Sequence, residues 1–318
     1  MGFKVLIPPN IAEDGKNYLI NCGYEIKIGT GTTVEALKEE IEDCDAILAR
    51  TAPYTAEVLK AGKKLKVISR HGVGVDSIDL EAAKELGIWV TNAPLSNAIT
   101  VAEHAIGFII ALARNMVMCD KTFRDGDFDI RHKLVGIDLE GKTLGIIGLG
   151  RIGTMVARKA IFGLDMKVVG YDPYLTEDKV MPEIELTRDW EYLFKNSDFI
   201  SLHLPVTAES KKIVSNKEFG MMKPTAYIIN CARGDVLDEA ALIEALQQKK
   251  IAGAALDVFE QEPPSKINKL LQFDNVIVTP HNAGITKESN SRMSLHAAMG
   301  IDEVLSGRKP SWPVVCPD

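Results

Sequence analysis

Cysteine pairing is the first thing this 318-residue sequence lacks. Its cysteines, Cys22, Cys44, Cys119, Cys231 and Cys316, are odd in number and contain no C-x-x-C pair. That excludes a disulfide framework and a cysteine-built metal site, and it points to a reducing cytoplasm. No metal site is expected. A long apolar run is also missing: the most apolar segment, residues 105–113, is too short to cross a bilayer and follows Glu103 and His104. It reads as a buried helix. The N-terminus enters Phe3-Lys4-Val5-Leu6-Ile7 directly and shows neither the length nor the small-residue cleavage site of a signal peptide. Positive charge is in deficit, with a net charge of −7, which argues against nucleic acid or an anionic membrane as partner. The one basic cluster, Lys60, Lys63, Lys64 and Lys66, reads as a solvated helix end and loop. Internal repeats, low-complexity tracts and long linkers are absent as well.

What is present is an ordinary soluble composition, 46% hydrophobic and 25% charged, on a chain long enough for two domains with separate cores. Short β-type runs alternate with helical patterns almost throughout, which implies α/β architecture with parallel sheets covered on both faces. Before residue 95 the runs are 4–7, 24–28, 46–49, 66–69 and 89–91; after residue 143 they are 144–147, 168–171, 199–202, 227–229, 252–256 and 276–278. Thr32-x-x-Glu35 resembles a capping box ahead of a helix over 34–41. One long apolar helix is expected from Ile99 to Met116. A last helix over 288–305, followed by Pro310 and Pro313, has no room in the second sheet and is expected to return to the first domain. The expected division is a discontinuous domain of residues 1–97 and 290–318, with a dinucleotide-binding domain of residues 98–289 inserted in it.

The insertion is inferred from the fingerprint Gly148-Leu149-Gly150-Arg151-Ile152-Gly153, which lies mid-chain between an apolar run and a helical stretch. Its first glycine allows a tight turn, its second lets backbone approach a pyrophosphate, and its third lets helix and strand pack closely. The helix N-terminus then offers N–H groups to the anion. Asp172 ends the next apolar run, where a carboxylate accepts the ribose hydroxyls of NAD and repels the extra phosphate of NADP. The plainer alternative is a turn-capping Asp before Pro173.

Three residues near strand ends suggest chemistry on a bound acid. His281 follows the run 276–278, and an imidazole suits exchange of a hydroxyl proton near neutral pH. His71, His104, His132, His203 and His296 compete for that role. Glu262, after the run 252–256, would favour the charged form of an imidazole bonded to it, and Glu260 lies close enough to be confused with it. Arg233, after the run 227–229, presents a planar fork suited to a carboxylate, and the small neighbours Ala232 and Gly234 let another molecule approach. A cofactor site followed by a cation, an anion and an imidazole points to hydride transfer on a small 2-hydroxy or 2-keto acid.

In order, the segments Arg70-His71-Gly72-Val73-Gly74-Val75-Asp76, the fingerprint, 230–234, 253–263 and 280–284 resemble the D-isomer-specific 2-hydroxyacid dehydrogenase family over nearly the whole chain. The resemblance implies a Rossmann NAD-binding domain within a flavodoxin-like substrate domain, and a homodimer formed through the cofactor domain and the helix near Ile99. It implies Arg233, Glu262 and His281 as the catalytic set, and Val73 and Gly74 holding the substrate carboxylate. Arg151 and Ile152 would contact the pyrophosphate, and His203, Leu204 and Pro205 would line the adenine side. Asp257 would receive the nicotinamide carboxamide, with Cys231, Ala232 and Gly284 beside the nicotinamide half.

Within the family the likeness is nearest to phosphoglycerate dehydrogenases, and the regulatory C-terminal domain that many of them carry is not expected here. Their phosphate-binding segment pairs an Arg with a nearby Lys; here Arg50 is kept, Pro53 or Tyr54 replaces the Lys, and Arg70 could compensate. Hydroxypyruvate or glyoxylate reduction is the alternative within the class. An NAD(H)-sensing scaffold is the alternative outside it.

Overall fold

The structure, a computed structural model, describes residues 2–317. The chain folds as two compact units: residues up to Asn97 together with those from Ile285 onward, and Ala98–Gly284.

The first unit contains strands β1 (Lys4–Ile7), β2 (Glu25–Ile28), β3 (Ala46–Ala49), β4 (Val67–Arg70) and β5 (Trp89–Thr91), plus the late strand β13 (Pro313–Val315). Its helices are α1 (Glu13–Asn21), α2 (Val34–Ile41), α3 (Ala56–Ala61), α4 (Leu80–Glu85) and α11 (Lys287–Leu305). The sheet order is β13-β5-β4-β3-β1-β2, parallel except for β13 against β5. Without the late edge strand this is the flavodoxin-like 2-1-3-4-5 order. The inner strands β1, β3 and β4 are mainly apolar on both faces because both are covered. Leu6, Ile47 and Ile68 pack with α2, α3 and α4 on one side, while Val5, Ile7, Leu48 and Val67 pack with α1 and α11 on the other.

The second unit is a seven-stranded, wholly parallel sheet. Its strands are β6 (Thr143–Ile147), β7 (Lys167–Tyr171), β8 (Ile184–Leu186), β9 (Phe199–Leu202), β10 (Tyr227–Asn230), β11 (Gly253–Leu256) and β12 (Val276–Val278). Helices α5 (Ala98–Ala113) and α7 (Arg151–Leu164) cover one face. Helices α8 (Trp190–Asn196), α9 (Asn216–Met221) and α10 (Glu239–Gln247) cover the other, and α6 (Met116–Arg124) follows α5. The order β12-β11-β10-β9-β6-β7-β8 is doubly wound, with its reversal between β6 and β9.

Two expectations are corrected, and two strands are added. The apolar helix does not run unbroken to Met116: it ends at Ala113, Asn115 is left-handed (φ 51°), and α6 leaves at 61°. Asn tolerates that conformation better than most residues. The cap of α2 is Thr33, whose hydroxyl accepts from Ala36 N, rather than Thr32. Strands β8 and β13 were not anticipated, since each is three residues long and β13 opens with a proline. Among the described residues no single helix is long and apolar enough to cross a membrane.

Candidate active site

The reversal of strand order in the second unit brings the loops after β6 and β9 into backbone contact. Gly148 has φ 91°, and a Cβ on it would lie 2.5 Å from the His203 carbonyl oxygen. A Cβ on Gly153 would lie 1.9 Å from the carbonyl oxygen of Gly148, so turn and helix close on each other. Gly150 is the opposite case. It caps α7, and a Cβ there would meet nothing within 4 Å. Open space therefore lies over a helix N-terminus that starts with Arg151 and Ile152, a fitting cradle for a dinucleotide pyrophosphate.

Asp172 follows β7 and divides its carboxylate between two roles. Oδ1 accepts from Tyr174 N at 3.0 Å, the turn-capping bond, while Oδ2 accepts from Leu149 N of the fingerprint, also at 3.0 Å. Arg188, which the sequence alone did not single out, donates to the carbonyl oxygens of Asp172 and Leu175. It is brought there by the unanticipated strand β8. His203 bonds Ser201 Oγ through Nε2 at 2.8 Å, and burial lowers its pKa to about 4, so it is neutral. Beside it Leu204 packs against the core, and the Pro205 carbonyl accepts from Ser210 Oγ.

His281 and Glu262 are paired: Nδ1 of the imidazole lies 2.6 Å from Glu262 Oε2. Glu262 Oε1 accepts from Phe259 N at 3.1 Å, which fixes the carboxylate against its own loop. With Nδ1 engaged, Nε2 is the nitrogen left for proton exchange. The imidazole is half exposed (51%). Its residue is left-handed (φ 49°), a conformation that costs energy and must be held by its surroundings. Glu260 faces elsewhere: it ion-pairs with Lys212 at 3.0 Å and accepts from Glu239 N at the start of α10. The geometry thus separates two carboxylates that sequence spacing leaves confusable.

Arg233 follows β10 in a loop pinned by buried Asn230, whose Oδ1 accepts from Ala232 N and whose Nδ2 donates to the Arg233 carbonyl. Nη1 of Arg233 donates to the Ala232 carbonyl at 2.7 Å. Contrary to the sequence reading, the space beside Gly234 is not open to a ligand. A Cβ there would sit 2.0 Å from the Phe259 carbonyl, so this glycine serves to seat the Glu262 loop against the Arg233 loop. Asp257, 1% exposed, closes the arrangement by accepting from Asn282 N and Ala283 N, both at 2.9 Å. Cys231 is buried, and burial raises its thiol pKa well above the ordinary range, which leaves it unreactive; Ala232 and Gly284 are partly buried.

In the first unit, Arg70 at the end of β4 donates from Nε to the Gly74 carbonyl at 2.8 Å and from Nη1 to the His71 carbonyl. Asn92 Nδ2 donates to the Val73 carbonyl. The loop carrying Val73 and Gly74 is therefore clamped from two sides. Arg50 makes a long bond, 3.4 Å, to the Asn10 carbonyl. Tyr54 is 2% exposed and part of the core, so it cannot replace a surface cation.

Residues 106–283 match the model of the D-isomer specific 2-hydroxyacid dehydrogenase NAD binding domain. The chain belongs to the D-isomer specific 2-hydroxyacid dehydrogenase family. It is 45% identical over 307 residues to a D-3-phosphoglycerate dehydrogenase of Methanocaldococcus jannaschii, covering 96% of this chain and 58% of that protein. A glyoxylate reductase of Thermofilum pendens is 41% identical over 317 residues, covering 96% of this chain and 93% of that protein. A solved Thermus thermophilus structure superposes with a TM-score of 0.90 at 32% identity, covering 98% of this chain and all of that one. The chain spans under three-fifths of the phosphoglycerate dehydrogenase it matches. The second unit is thus an NAD-binding domain of Rossmann type, and the first is the flavodoxin-like domain of the family fold.

Proposed function

We propose that this protein is an NAD-dependent D-2-hydroxyacid dehydrogenase acting on a small acid, with 3-phosphoglycerate and its 2-keto partner as the leading pair. The observation that carries the proposal is the 2.6 Å bond between His281 and Glu262 at the strand ends of the NAD-binding domain. Bound NAD(H) supplies or accepts the hydride at C2 of the acid. Gly148, Gly150, Arg151, Ile152 and Gly153 hold its pyrophosphate, and Asp172 selects NAD over NADP by repelling a 2′-phosphate. His203, Leu204 and Pro205 line the adenine side. Asp257, Cys231, Ala232 and Gly284 bound the nicotinamide half.

Arg233 orients the carboxylate and polarises the carbonyl with its planar fork. His281 Nε2 gives a proton to the carbonyl oxygen in reduction and takes the hydroxyl proton in oxidation. Glu262 holds the ring in orientation through Nδ1, which leaves Nε2 for the proton exchange. Val73 and Gly74 bind the substrate carboxylate through backbone, and Arg50 and Arg70 contribute charge for a phosphate. The role of the first unit is that of substrate domain.

A homodimer is part of the proposal. Ile99, Met155 and Phe162 on α5 and α7 are 45%, 37% and 61% exposed, and with Glu103, Arg158 and Lys159 beside them they form a mixed face with an apolar centre suited to a second copy of the NAD-binding domain. Light scattering should give twice the 34.8 kDa chain mass. The free cysteines fit a cytoplasmic enzyme of serine synthesis, kept reduced in that compartment.

The test is initial-rate NADH and NADPH oxidation with 3-phosphohydroxypyruvate, hydroxypyruvate, glyoxylate and pyruvate, compared by kcat/KM. Preference for the phosphorylated acid with NADH is expected. Preference for glyoxylate or hydroxypyruvate would reassign it as a reductase of those acids. Silence on all four with NADH still bound would favour an NAD(H)-sensing scaffold.

A further inference from the structure

Helix α5 carries one imidazole on its packed side. His104 stacks edge-on against Phe108, with ring centroids 4.5 Å apart, and its Nε2 lies 3.1 Å from Thr279 Oγ1. Thr279 Oγ1 in turn lies 2.5 Å from Asp257 Oδ1, and His104 Nε2 is 3.9 Å from the same oxygen. A carboxylate only accepts, so the single hydroxyl proton of Thr279 points at Asp257, and the hydroxyl oxygen must accept from His104. The ring is therefore protonated at Nε2. Burial lowers the His104 pKa and outweighs the opposing pull of Asp257, which keeps the ring neutral.

Asp257 is the hub of the loop that ends at Ala283. Its carboxylate accepts from Thr279 Oγ1, Asn282 N and Ala283 N, and its carbonyl accepts from His281 N at 2.8 Å. These bonds hold 279–283, including the left-handed turn at His281. That turn delivers the imidazole to Glu262. We propose that His104 is a positioning residue: by orienting the Thr279 hydroxyl toward Asp257, it holds the strained His281 turn in register with Glu262. The inference rests on the role given to His281 above.

The direct test is long-range proton–nitrogen NMR of the full chain labelled with 15N-histidine, alongside kinetics. At pH 7 His104 should be the neutral Nε2–H tautomer. His104→Leu should displace the His281 ring signals, while His104→Gln, whose amide N–H can reach Thr279, should leave them near wild type. In turnover, His104→Leu should lower kcat roughly 10- to 100-fold, with KM for NADH changed less than about twofold and His104→Gln rescuing most of the loss. Thr279→Val keeps the shape without the hydroxyl. It should reproduce the displacement if His104→Leu does not fold, and the double variant should be no worse than Thr279→Val alone. An Nδ1–H tautomer for His104, or unmoved His281 signals in both Leu and Val variants, would overturn the proposal. Should the wild type reduce none of the four acids, the spectra still decide the positioning role, so the two readings fail separately.

Discussion

The two units end their sheets in different ways. In the NAD-binding domain the strand-end loops are locked to one another. Gly148 abuts His203, Gly234 abuts Phe259, Asn230 pins its own loop, and buried Asp257 holds the turn that bears His281. In the first unit the cations engage their own neighbourhood: Arg70 clamps the 71–74 loop and Arg50 reaches the Asn10 carbonyl at 3.4 Å. The contrast teaches how the proposed roles divide. On the proposed function, the atoms that exchange a proton are held by a network anchored on buried Asp257. On the same reading, substrate preference rests on cations of the first unit, a different unit from the one that bears His281.

The largest break in that contrast is expected from His281→Ala. Loss of a general acid–base typically costs about 10²–10⁴-fold, so kcat/KM should fall by that order while calorimetric NADH affinity stays near wild type. Smaller, and sited at the lock itself, is Gly234→Ala. Its Cβ would collide with the Phe259 carbonyl at 2.0 Å, and overpacking of this kind costs roughly 1–3 kcal/mol. Thermal unfolding should show a lower midpoint, and kcat should drop as Glu262 and Arg233 shift apart. The smallest effect belongs to the first unit. Arg50→Gln should raise KM for a phosphorylated acid by roughly tenfold, about 1.4 kcal/mol, and leave unphosphorylated acids unchanged. Equal losses on both kinds of acid would place Arg50 outside phosphate selection.

Much of this was legible in the sequence because it depended on local pattern. Most strands before residue 95 and after 143 are short, mainly apolar runs, and the fingerprint announces its own turn through glycine spacing. Two kinds of feature were not legible. Short elements with little signal escaped: β8 has one buried residue in three, and without that strand nothing placed Arg188 beside Asp172. Long-range partnerships escaped too. Nothing in the spacing distinguishes Glu262 from Glu260, because the difference is that one finds His281 and the other finds Lys212 and the start of α10. Gly234 marks a place of close approach in the sequence, but only the fold reveals that the neighbour is backbone from Phe259 and Glu260. His104 gave only a helical pattern, with no hint of Thr279 far along the chain.

The central claim is that Glu262 holds the His281 ring in place for proton exchange. It is tested most directly by reductive kcat for wild type, Glu262→Gln and Glu262→Ala, measured with the preferred keto acid and saturating NADH. The account predicts that Glu262→Ala, which takes the partner from Nδ1, lowers kcat roughly 10- to 100-fold, while Glu262→Gln, whose side-chain carbonyl can still accept from Nδ1–H, loses less. An unchanged kcat in both variants would contradict it.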